Sequence, residues 1–382
     1  MSHPDLPQET LDSIVDFLDE ETEALKQCCL VAKSWVPRAR KHLFDFVEFY
    51  TENHIEAWKK TFPDPSNSPA CCAHTLLVDC AENVTAADAA EGGWIPTFSR
   101  IVCLILDSEE GVAPFLRLSP TLKSISLTFT SLPISEVFTF ICSFPFLEDL
   151  TLTGDHAYLE DDGSNGPQIF APSTSPALTG SLELEVGPGI DDLARLFLDL
   201  PGGLRFKRLA VAWLEAEGFH YIQELVAACS GTLEDLDLAS SGAVCYFFVT
   251  RWSFTLAFCS TDNSALGPTD LSRTTKLRCI RFHCESPGIE WVASTLETVT
   301  SEHQDFQQIS VVINSVFLTD ANPSMGWPDL DRVLVQFWES RSIRTKFLNK
   351  CREEAADSIT RLLPESRTRG IIDLVEKPLW DL

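Results

Sequence analysis

The chain has 382 residues, with 29 basic and 56 acidic side chains and a formal charge of −27. Hydrophobic residues make up 45% and charged residues 22%, which suits folded domains and excludes a disordered chain. A surface this acidic repels phosphate backbones and anionic headgroups, so neither nucleic acid nor a membrane is an expected partner.

The opening MSHPDLPQET has no basic n-region and no apolar h-region, which predicts a cytoplasmic or nuclear protein rather than a secreted one. The 13 scattered cysteines then read as reduced thiols. The longest apolar stretch, Val244 to Cys259, is interrupted by Arg251. It falls short of the roughly 18–20 apolar residues that cross a bilayer.

The first fifty residues predict three short helices. Leu6-Pro7 opens a stripe of Leu11, Ile14, Val15 and Leu18 at helical spacing, with Pro7 suited to the first helical position. Asp19-Glu20-Glu21 makes an acidic turn, and Thr22 is placed to cap a second helix carrying Leu25, Cys28, Cys29 and Ala32. Trp35 closes that segment. Pro37 starts a third helix with Ala39, Arg40, Leu43 and Phe44, and the strand-like DFVEFY follows. About 40–50 residues is near the lower limit for unaided folding, so this module needs a neighbour or a partner.

The order LPQETLDSIVDFL, then LKQCCLVAKSWVPRARKHLF, resembles an F-box. Leu6-Pro7, Glu9, Ile14, Leu18, Leu25, Val31, Trp35 and the basic run from Arg38 to Phe44 fall where that family places its pattern. The likeness covers about residues 4–48 and is similar to F-box proteins abundant in mushroom-forming fungi. It implies a partner rather than a reaction: a Skp-type adaptor, and through it a cullin-RING ubiquitin ligase, gripped by burial of an apolar helix face. By motif match the adaptor-binding residues are Leu6, Pro7, Ile14, Leu18, Leu25, Leu30, Val31 and Trp35. Some of these must instead hold the helices together, and the sequence does not partition them.

His54 to Lys60 reads as polar helix or loop, and FPDPSNSPACC as a turn-rich linker, so 51–70 is expected to join two domains. Beyond it the template φ-x-x-φ-x-φ, with φ apolar, recurs. Its middle residues are Leu104, Ile125, Leu150, Leu182, Leu209, Leu236, Ile280, Ile309 and Val333, the last within LDRVLV. Between copies lie helical stripes: Ile134, Val137, Phe138 and Ile141; Ile190, Leu193, Phe197 and Leu200; Phe219, Ile222, Val226 and Cys229; Ile289, Val292, Leu296 and Val299. A period of two giving way to 3.6 in each unit predicts strand, loop and helix stacked side by side.

This resembles a leucine-rich-repeat array, with parallel strands on a concave face and helices outside. The turn positions where that family favours Asn or Cys hold Glu109, Thr130, Asp155, Gly187, Leu214 and Ser241, so the repeats are irregular. The expected fold is α/β: a three-helix domain over 4–50, a linker over 51–70, a repeat domain over 71–345 with insertions at 154–177 and 243–270, and a C-terminal helix and tail over 346–382.

No P-loop, G-x-S-x-G elbow, C-x-x-C or H-E-x-x-H pattern occurs. Cys71, Cys72, His74 and Cys80 fit no zinc template, and Glu160-Asp161-Asp162 lacks the alternating oxygens of a calcium loop. No cofactor or metal is expected and no catalysis by the chain itself. The expected role is a substrate receptor of an SCF-type ligase, with a non-catalytic scaffold as the alternative. Target contacts are expected at outward strand positions Lys123, Ser126, Glu148, Thr151, Glu183, Arg208, Glu234, Asp237, Arg281 and Ser310, whose acidic tilt favours a target with a basic surface.

Overall fold

The computed structural model describes residues 7–19, 21–108, 111–118, 120–129, 132–154, 178–186, 190–200, 202–214, 219–240, 267–284, 289–313, 326–349 and 352–376. The chain is α/β, with twelve strands and eleven α-helices among the described residues. One compact unit runs to Thr153 and a second from Leu178 to Leu382. Both insertions (154–177 and 243–270) lie almost wholly outside the described residues, as do Val244–Cys259 and every irregular turn position except Leu214. Among the described residues no helix is long and apolar enough to cross a membrane.

The first unit opens with α1 (Gln8–Asp16), α2 (Thr22–Val31) and α3 (Val36–Leu43). Pro7 is the residue before α1 rather than its first, and Thr22 starts α2 without capping it; Glu21 holds the cap position and its side chain bonds nothing there. Pro37 does sit in the first turn of α3. Strand β1 (Phe46–Phe49) and α4 (Glu52–Thr61) follow, then short 3₁₀ turns over Pro65–Asn67 and Pro69–Cys72. Next come β2 (Thr75–Val78), β3 (Cys103–Ser108), β4 (Ser124–Phe129), α5 (Ile134–Cys142) and β5 (Asp149–Gly154). The spatial order of β1 to β5 is the chain order. β1, β2, β3 and β4 pair in parallel, in one continuous register: Val47 beside Leu76, Leu104 and Ile125.

The second unit repeats the plan. Its elements are β6 (Ser181–Val186), α6 (Ile190–Leu198), β7 (Arg208–Leu214), α7 (Phe219–Ala228), β8 (Asp235–Ser240), β9 (Cys279–Cys284), α8 (Glu290–Glu297) and β10 (Gln308–Ile313). α9 (Trp327–Arg341), β11 (Thr345–Asn349), α10 (Arg352–Leu362), α11 (Pro364–Thr368) and β12 (Ile372–Glu376) complete it. The strands again lie in chain order, all parallel. Parallel neighbours need a crossover between them, and where the connection is among the described residues helices or 3₁₀ turns supply it. The template residues are the reason for the register. Leu209, Leu236, Ile280 and Ile309 stand side by side, buried on the face opposite the outward positions. The four expected helical stripes fall on α5, α6, α7 and α8.

The structure departs from the sequence expectation at two places. LDRVLV is not a strand but the middle of α9. Gly326 takes a left-handed φ of +71°, Trp327-Pro328 begins the helix, and Leu330, Val333, Leu334 and Phe337 bury one face at helical spacing. A Cβ on Gly326 would stand 2.8 Å from the Glu290 backbone nitrogen, so only glycine fits this entry. Lys346 and Phe347 belong to a strand, β11, instead of the helix expected from 346 onward, and a further strand, β12, lies beyond α11. The segment read as polar helix or loop from His54 to Lys60 is helical: it lies in α4, with Ile55 buried.

Candidate functional site

The first candidate site is the outer surface of α1 to α3. Their shared core is small: Val15, Leu25, Cys28 and Ala39 are buried, with Leu18, Cys29, Trp35 and Leu43 packed around them. The structure thus partitions the expected adaptor residues. Leu18, Leu25 and Trp35 hold the helices together, and Pro7, Ile14, Leu30 and Val31 face outward. Leu6 lies outside the described residues. Leu30 is 80% exposed and Val31 66%. Phe17, which the motif match passed over, is 88% exposed just past α1. Its signal was in the sequence: it stands at i+3 from Ile14, off the Val15 stripe. Large apolar side chains left bare on short helices are the kind of surface that marks a partner site.

A polar clasp closes the same helices. Asp16 at the end of α1 accepts from the Arg38 guanidinium of α3, from Nη2 at 2.5 Å and also from Nε, and its Oδ1 lies 2.7 Å from His42 Nε2. These hydrogen bonds, from Arg38 first and His42 next, hold the Asp16 carboxyl far below the usual carboxylate range. The basic run that the motif places in the third helix therefore serves in part to join it to the first.

An aromatic cluster continues from α3 into the strands. Trp58 of α4 meets Phe44 (6.2 Å between ring centroids), Phe49 of β1 (5.6 Å), Phe62 (4.8 Å) and Phe98 (5.9 Å). Trp94 packs on Phe49 and Phe98. Beside it Lys59 Nζ pairs with Asp88 at 2.9 Å. The residues read as a linker thus form a packed joint.

The second candidate site is the outward face of the strands. In the first unit Lys123 Nζ pairs with Glu148 at 2.8 Å, and Ser126 and Thr151 are half-buried. In the second, Arg208 is exposed and Glu183 half-buried. Glu234 faces Arg278 at 3.8 Å. Asp237 is shared by Arg281 at 3.2 Å and by the buried His283 at 3.0 Å. Ser310 is only 1% exposed, against the expectation of an outward contact. The cause is local: the Gln308 amide donates to Ser310 Oγ at 3.0 Å and accepts from Lys346 Nζ at 3.0 Å, so two long side chains close over a short one. The expected set also omitted an apolar row. Register places Leu77 and Ile105, both half-buried, between Glu48 and Ser126, with the exposed Phe46 next to Thr75. Periodicity could not find them, because an outward apolar residue breaks the alternation.

Among the described residues no group of three or more His, Cys, Asp or Glu side chains could hold a metal ion. No protein-family model matches the chain, and no curated protein matches it.

Proposed function

We propose that the chain is a substrate-recognition subunit of an SCF-type ubiquitin ligase, an F-box module followed by an irregular leucine-rich-repeat stack. α1 to α3 dock on a Skp-type adaptor that links to a cullin, and the outward strand face holds a target protein. The chain itself makes and breaks no bonds. It raises the local concentration of target lysines beside a charged ubiquitin carrier.

The observation that carries this reading is the partition of the motif residues. Val15, Leu25, Cys28 and Ala39 suffice for the internal core, and Ile14, Phe17, Leu30 and Val31 remain exposed. A helix face of this kind gains by burial in a partner's groove, at about 25 cal/mol per Å² of apolar surface removed from water. The packed joint around Trp58 supports the same reading, because a receptor must hold its target at a fixed place relative to the adaptor.

Co-purification with the Skp adaptor of the same organism tests it. Wild type is expected to retain the adaptor, and Leu30→Asp/Val31→Asp to lose it with an unchanged circular dichroism spectrum. Retention by the variant, or no binding by either protein, overturns the assignment.

A further inference from the structure

We propose that Cys71 and Cys72 form a redox-modifiable dithiol, closing to a disulfide between neighbouring residues under a mild two-electron oxidant such as hydrogen peroxide. The inference does not depend on ubiquitin chemistry or on any partner.

Cys28 and Cys29 are also consecutive, but they lie inside α2 with Cys28 buried, whereas the Cys71–Cys72 pair is on the surface. Both residues lie in the 3₁₀ turn Pro69–Cys72, so two thiols stand one peptide apart on a short surface element. Cys71 is the one exposed cysteine among the described residues, and Cys72 beside it is half-buried. Burial pushes the thiols of Cys80 and Cys229 up to about 11 and those of Cys142 and Cys284 up to about 12, which keeps them protonated at neutral pH. Around Cys72, burial and the adjoining Cys71 raise the thiol, and Arg40 and Arg100 pull it back. Access therefore sets the order: Cys71, the exposed member of the pair, is the sulfur that meets the oxidant, and the half-buried Cys72 the one that resolves it.

The chemistry balances. Cys71 thiolate attacks one peroxide oxygen, the O–O bond breaks, and hydroxide departs and is protonated to water, leaving a sulfenic acid. Cys72 sulfur then attacks the Cys71 sulfur, the S–O bond breaks, and the departing hydroxide takes the Cys72 proton to leave as a second water. Two thiols and one peroxide become one disulfide and two waters.

The ring is strained. Consecutive Cα atoms across a trans peptide stand about 3.8 Å apart, below the roughly 4.4–6.8 Å of ordinary disulfides. Strained disulfides are the readily reduced ones, so the modification reverses under a modest thiol pool. Closing the ring also disturbs the turn, held by the Ala73 N–H to Ala70 carbonyl bond at 3.1 Å, and α3 packs directly on this turn. Oxidation state at the turn is thereby coupled to the third helix of the amino-terminal module.

The test uses the full chain. Wild type, C71S and C72S are treated with stoichiometric hydrogen peroxide, alkylated, digested with trypsin and weighed. The peptide from 61 to 100 also contains Cys80, which is buried. In wild type it is expected to lose two hydrogens and carry a single alkyl group, on Cys80, and to regain all three after dithiothreitol. C71S is expected to keep Cys72 and Cys80 alkylatable, and C72S to hold Cys71 as sulfenic or higher acid. Three alkyl groups on oxidised wild type, or a link to Cys80 that persists in either variant, overturns the proposal. Should a variant misfold, fragmentation of the wild-type peptide decides it: the single alkyl group on Cys80 supports the proposal, and on Cys71 or Cys72 overturns it.

Discussion

Leu25 and Leu30 lie on one helix, five residues apart, and the account assigns them opposite roles. Leu25 is 1% exposed within the α1–α3 core, and Leu30 is 80% exposed. Leu25→Ala removes a buried side chain from a core with only three other buried members. Such truncations cost about 2–5 kcal/mol, and a core this small has few neighbours to collapse into the void. Taking about 3 kcal/mol, the opened state of the three helices rises about a hundredfold, at about 1.4 kcal/mol per factor of ten. Leu30→Ala should stay within about 0.5 kcal/mol of wild type, as exposed substitutions do. Amide hydrogen exchange read on peptides from α1 to α3 measures both. Leu25→Ala is expected to speed exchange throughout the three helices and Leu30→Ala to leave it unchanged. Equal effects, or a larger effect at Leu30, would refute the partition on which the adaptor face rests.

Three further predictions follow from single contacts. Asp16→Asn weakens the clasp to Arg38 and His42, and the effect depends on pH. The folded carboxyl titrates below its unfolded value, so its contribution is present above the ordinary range near about 3.9 and fades as pH falls through and below it. The melting temperatures of wild type and Asp16→Asn, followed by circular dichroism, should therefore differ at pH 7, and the difference should begin to narrow only as pH falls below about 4. Trp58→Ala removes the centre of the aromatic joint and should cost about 3 kcal/mol by chemical denaturation; a cost near zero would show that the joint is not packed. Asp331, 6% exposed on α9, accepts from the backbone N–H groups of Glu365 (2.9 Å) and Ser366 (2.8 Å) at the start of α11. Asp331→Ala leaves both without that partner and should cost about 1–3 kcal/mol, with faster exchange at those two amides.

Much of the fold was legible because burial imposes period. The template residues Leu104, Leu182, Leu209, Leu236 and Ile280 each stand in register with the next strand's template residue. The pattern even reached further than it was followed. Phe44, Val47 and Phe49 carry it at β1, and Ala73, Leu76 and Val78 at β2, where a small first anchor hid it. At β11 the register puts Thr345 where an apolar middle residue was sought, and at β12 the first anchor is Arg369, so those strands were invisible to an apolar template. LDRVLV failed in the opposite way. Six residues cannot separate the two periods, and the deciding residues, Gly326, Trp327 and Pro328 ahead of it and Phe337 after it, lay outside the window.

The candidate site was legible only in part. Three helices were expected over the first fifty residues and three are there, but which apolar residue faces inward depends on how they lean together, and that is a tertiary fact. The row of Leu77 and Ile105 was missed because outward apolar residues on a strand break the alternation, whereas Phe17 stood at helical spacing from Ile14 but outside the family pattern. Ser310 was misjudged because its burial comes from Gln308 and Lys346, on its own strand and the next.

The most direct measurement of the central claim is a hydrogen-exchange footprint of the full chain with and without a purified Skp-type adaptor. The account predicts slowed exchange over the last turns of α1 and α2, where Ile14, Phe17, Leu30 and Val31 lie, and unchanged exchange in β6 to β10. Unchanged exchange in both helices, or protection confined to the strands, would contradict it.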